Sequence, residues 1–80
     1  NNKELEETRK GKIISLNKTR NGDGMGFIET RDGETLVFYE NTVKDGPDKY
    51  YELEVQDTVK WEKILNTGQE HYTAQEVSKL

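Results

Sequence analysis

Phe27 sits between Gly26 and Ile28 in the run Asp23-Gly24-Met25-Gly26-Phe27-Ile28. If this run is a strand and Ile28 turns inward, Phe27 turns outward. An outward ring beside residues without side chains can stack on a flat π system that comes close to the backbone. Met25 offers a soft contact two residues earlier, on the same side. Tyr39 alternates outward in Leu36-Val37-Phe38-Tyr39. Bases gather in the same third of the chain: Arg9 to Arg31 holds six Lys and Arg against two acids, Asp23 and Glu29. Of these, Lys12, Lys18 and Arg20 are expected to meet phosphates. An outward ring on a strand is either a contact residue or an ordinary surface ring, and a basic segment is either the working face of a nucleic-acid binder or solvated surface charge. The rest of the chain runs against that pattern. From Asp32 to Leu80 there are eleven acids and five bases, and the net charge is −4.

Other chemistries lack the residues they need. There is no cysteine, which removes disulfides, thiolate metal sites and thiol nucleophiles and fits a reducing, cytoplasmic setting. His71 is the only histidine, so no metal set is expected and a turn is its natural place. Glu34, Glu40, Glu52 and Glu54 form no acid/base pair, and no nucleophile has a base beside it, so no enzyme activity and no cofactor are expected. Gly22, Gly24 and Gly26 lack the Lys-Ser/Thr pair and following helix of a phosphate cradle. Asn21-Gly22-Asp23-Gly24 lacks the final glutamate of a calcium loop. Asn17-Lys18-Thr19 is a sequon with meaning only in a secreted protein. Ser78-Lys79-Leu80 has the form of a peroxisomal address. No apolar run nears the ~18 residues of a membrane span, and the polar start is not a signal peptide.

Short strands must position these residues. Residues 1–10 form a polar N-terminal extension, and residues 11–80 form one domain. Apolar stretches at Ile13–Leu16, Met25–Ile28, Leu36–Tyr39, Val59–Ile64 and Tyr72–Val77 are split by turn signals. Asp32-Gly33 reads as a two-residue hairpin turn. Asp45-Gly46-Pro47-Asp48 marks a long loop, and Asn66-Thr67-Gly68 another hairpin. Five short strands with no helical period read as a small all-β barrel or sandwich. Alternation assigns Ile13, Leu16, Ile28, Leu36, Phe38, Val59, Trp61 and Val77 to the core.

In order and spacing, residues 11–80 resemble a cold-shock domain. The opening strand is Gly11-Lys12-Ile13-Ile14-Ser15-Leu16-Asn17, and the first ribonucleoprotein motif is Asp23-Gly24-Met25-Gly26-Phe27-Ile28. The second motif is Leu36-Val37-Phe38-Tyr39-Glu40, and the close is Ala74-Gln75-Glu76-Val77-Ser78-Lys79-Leu80. Three extra residues fall in the turn before Gly24. The resemblance implies a five-stranded antiparallel barrel of the OB type, with a face on strands one to three that stacks bases of single-stranded RNA or DNA. It places Ile14 at the family's lysine, Val37 at a stacking phenylalanine and Tyr50 at the loop aromatic, so all three join the expected face. Ser15 replaces the strand-one tryptophan, Met25 a phenylalanine, Tyr39 the histidine and Glu40 the last phenylalanine. Glu40 is expected to face phosphates and repel them. Weak nucleic-acid binding follows, with a protein partner for a degenerate module as the alternative.

Overall fold

The computed structural model describes residues 9–80. The expected extension therefore lies outside the described residues except for Arg9 and Lys10, and Lys10 already belongs to the first strand. The chain is mostly strand: β1 (Lys10–Lys18), β2 (Gly24–Thr30), β3 (Thr35–Tyr39), β4 (Thr58–Lys60), β5 (Lys63–Leu65), β6 (Thr73–Gln75) and β7 (Ser78–Lys79). Two 3₁₀ turns, Glu40–Thr42 and Pro47–Glu52, fill the link between β3 and β4. Among the described residues no helix is long and apolar enough to cross a membrane.

Strands β1, β2 and β3 form an antiparallel meander. Its first turn is closed by the Thr19 amide on the Asp23 carbonyl at 2.7 Å. The second turn differs from expectation. The Thr30 amide donates to the Glu34 carbonyl at 2.8 Å, which leaves a three-residue loop of Arg31, Asp32 and Gly33. Gly33 takes φ +86°, the left-handed residue that ends a three-residue hairpin. In β1 the register slips between Ile13 and Ser15. This bulge absorbs Ile14 and lets Ile13 and Leu16 both face inward.

Seven strands stand where five were expected, because the fourth and fifth are each broken. Trp61 and Glu62 separate β4 from β5, yet the Trp61 amide still bonds Arg9 and the Glu62 amide still bonds Gln75. Glu76, at φ +56°, and Val77 separate β6 from β7. The order is β5-β6-β3-β2-β1-β4-β7, so residues 58–65 pair with β1 through one half and with β6 through the other. The sheet therefore curls. One pairing departs from the antiparallel expectation: β3 and β6 run parallel at Val37 and Thr73.

The core holds Ile13, Ile28, Leu36, Phe38, Val59, Trp61 and Val77, as alternation predicts, with Leu16 half-buried against it. Val43, Tyr50, Leu53 and Ala74 complete it. The glycines of β2 are part of this packing. A Cβ on Gly26 would come within 2.6 Å of the Phe38 ring, and one on Gly24 would collide with the Tyr50 ring. Both glycines are buried. Their missing side chains admit core rings, the close-packing role expected of this glycine-rich stretch.

Candidate nucleic-acid interface

The pairings fix which residues share the outer face of the meander, since directly opposed residues point the same way. One row is Lys12, Glu29 and Thr35; the next is Ser15, Phe27 and Val37; the third is Asn17, Met25 and Tyr39. Met25, Phe27 and Tyr39 thus occupy neighbouring outward positions on β2 and β3, and all three are half-buried. Asn17 donates from its side-chain amide to the Ser15 hydroxyl, so the β1 edge of the face is polar. Ile14, displaced by the bulge, is exposed beside it.

The bases are dispersed. Lys12, Lys18 and Arg20 are all exposed. Lys12 shares the outer face but stands opposite Glu29. Lys18 stands opposite the inward Gly24, at the end of the strand where its charge acts on Glu40. Arg20 lies in the turn after β1. The three can rim the face but do not line it together.

Two expected contact residues are covered. Val37 is 3% exposed. Its amide donates to the Tyr72 carbonyl at 2.9 Å, and β6 pairs along that edge of β3. Tyr50 is 5% exposed. Its ring packs 5.7 Å from that of Phe38, and its hydroxyl donates to the Asn17 carbonyl at 2.9 Å. Burial pushes the Tyr50 hydroxyl above its ordinary pKa of 10.0. This ring is a wedge between the 3₁₀ turn and β2 and has no face to offer a base.

Glu40 also has a structural role that was not expected. Its Oε1 accepts from the Gly24 amide and from the Tyr51 hydroxyl, the latter at 2.8 Å. The Gly24 amide, then the Tyr51 hydroxyl, hold the carboxyl below its ordinary 4.5. The same bond raises the Tyr51 hydroxyl above 10.0. Glu40 ties the chain leaving β3 to the start of β2, where a phenylalanine could do neither job.

The loop 66–72 was not expected at this face. His71 meets Phe27 edge-on, with centroids 5.8 Å apart and planes at 79°. The Tyr39 hydroxyl donates to the Gln69 side-chain oxygen at 2.9 Å. His71, read in the sequence as a turn residue, and Gln69 are therefore part of the site. No local pattern marks them, because their contacts cross 44 and 30 positions of the chain. Comparison with known proteins gives no further guide: no family model, no curated protein and no solved structure matches the chain.

Proposed function

We infer that this chain is a weak single-stranded nucleic-acid-binding module on a barrel of the OB type, of the kind the cold-shock resemblance implies. The carrying observation is the adjacency of Met25, Phe27 and Tyr39 on the outer face of β2 and β3. In this reading residues 58–65 and 73–79 are each one bent strand, which brings the seven short strands to five. Phe27 and Tyr39 stack bases, Met25 packs between them, and Lys12, Lys18 and Arg20 neutralise phosphates from the rim. With Val37 and Tyr50 covered, two rings carry the stacking. RNA and DNA remain equal candidates.

Titration with fluorescent oligo-dT and oligo-U at low and moderate salt tests this. Three phosphate contacts on a single strand set a log–log salt slope no steeper than about −2, at about −0.7 each. Lys12→Glu should weaken all sequences alike. Tight binding that ignores salt, or none at low salt, would overturn the reading. A second reading, a protein-binding module, draws on exposed Ile64, Leu65 and Tyr72 around the β5 edge. It takes the lead if neither oligonucleotide binds.

A further inference from the structure

A cleft of about 540 Å³ opens away from the rings, over the start of β1 and strands β4, β5 and β7. Arg9, Lys10, Lys44, Lys60 and Lys63 line it, five of the 12 bases in a chain of net charge −4. Its two acids are Glu62, which pairs with Lys44 at 3.9 Å, and Glu76, whose carboxyl the neighbouring Glu62 holds above its ordinary 4.5. The Arg9 guanidinium donates to the Glu62 carbonyl at 2.9 Å, which fixes one wall.

The strand pairing makes this more than a count of charges. Lys10 stands directly opposite Lys60, and Lys60 directly opposite Ser78. Like charges facing each other across a ladder are destabilising, and sheets ordinarily avoid them. Here the pair is flanked by a hydroxyl and opens onto a cleft with three further bases. An anion seated on the row would remove the repulsion and gain charge-assisted hydrogen bonds. The row crosses three strands about 4.8 Å apart, a span that calls for more than one phosphate group.

We propose that the cleft over Lys10, Lys60 and Ser78 is a binding site for a compact anion bearing two or more phosphates. It is separate from the aromatic face and does not depend on the reading given for that face. Two sources share this chemistry, a free polyphosphate compound and consecutive phosphates of a nucleic-acid strand.

Thermal unfolding with inorganic tripolyphosphate, against sodium chloride of equal ionic strength, tests it. Tripolyphosphate near ten times its Kd should raise the midpoint by at least about 4 °C beyond the chloride control. Lys60→Glu turns the like-charge pair into an opposite one, so it should melt higher than the parent and gain nothing from tripolyphosphate. Lys60→Gln is the second variant, with the same loss of response. Phe27→Ala should keep the full response. Oligo-dT then separates the sources: weaker oligo-dT binding by Lys60→Glu assigns the site to backbone phosphates, and unchanged binding to a free polyphosphate. No shift beyond chloride, or an equal shift in both Lys60 variants, overturns the proposal whatever the aromatic face does.

Discussion

Glu40 carries a pH dependence whose sign can be worked out. Its folded pKa lies below the ordinary 4.5, set first by the Gly24 amide and then by the Tyr51 hydroxyl. The folded state therefore binds this proton less readily than the unfolded chain. The contribution is fully present above about pH 4.5 and is lost as pH falls through the lowered folded value. Glu40→Gln should flatten the acid limb of a midpoint-against-pH curve in that window and change little of its shape near neutrality. An unchanged acid limb would mean the carboxylate is not held as described. Phe27 supports the other prediction at this scale. One lost stacking ring costs about 1–3 kcal/mol per base, so Phe27→Ala should weaken oligo-dT binding by about five- to 150-fold in an anisotropy titration. Because the ring is half-buried on the outer face, the fold should survive the change.

Among the elements, β2 and the loop 66–72 set what the face can do. Gly26→Ala would drive a methyl to 2.6 Å from the Phe38 ring and 3.0 Å from Leu16. Overpacking of this kind costs about 1–3 kcal/mol, readable as a lower urea midpoint with an unchanged slope. The loop matters in a different way. His71 competes with a base for contact with the Phe27 ring, and such ring pairs contribute about 0.5–1.5 kcal/mol. His71→Ala should accordingly raise oligo-dT affinity about two- to tenfold. A fall would mean that His71 itself touches the ligand. The contrast between β2 and the loop shows what a sequence can disclose. Alternation in Leu36–Phe38 and Val59–Trp61 identified core residues because the strand period is local. Ile13 and Leu16, both assigned to the core, face inward together only through the bulge at Ile14, which no local signal marked. Val37 and Tyr50 escaped because their burial is decided elsewhere. Residues 72–73 pair with β3 at the first, and the turn Pro47–Glu52 swings the second against Gly24.

For the whole molecule, the legible part was the all-β class and the turn-bounded stretches. The illegible part was how the chain bends. Nothing local announces that Trp61 and Glu62 interrupt one strand, or that Glu76 takes φ +56° and interrupts another. These breaks accompany the curl of a short sheet, whose strands must bend or coil. Charge distribution belongs to this scale as well. Of the bases that sequence order groups between Arg9 and Arg31, Lys12, Lys18 and Arg20 are dispersed around the aromatic face, while Arg9 and Lys10 meet the distant Lys44, Lys60 and Lys63 at the Lys10–Lys60 cleft.

The pairing of β3 with β6 also has a consequence during synthesis. The meander of β1 to β3 is complete once Tyr39 has left the ribosome, but the partner for the free side of β3 begins only at Thr73. At the usual ~5–20 residues per second, a nascent chain holds that edge open for a few seconds, with Val37 uncovered and its amide unbonded. An open apolar edge is a template for pairing with another chain. Crowded polysomes are thus where this protein is most exposed to misassembly, and a chain ending before residue 73 keeps the hazard permanently. The C-terminal segment protects the sheet as well as completing it.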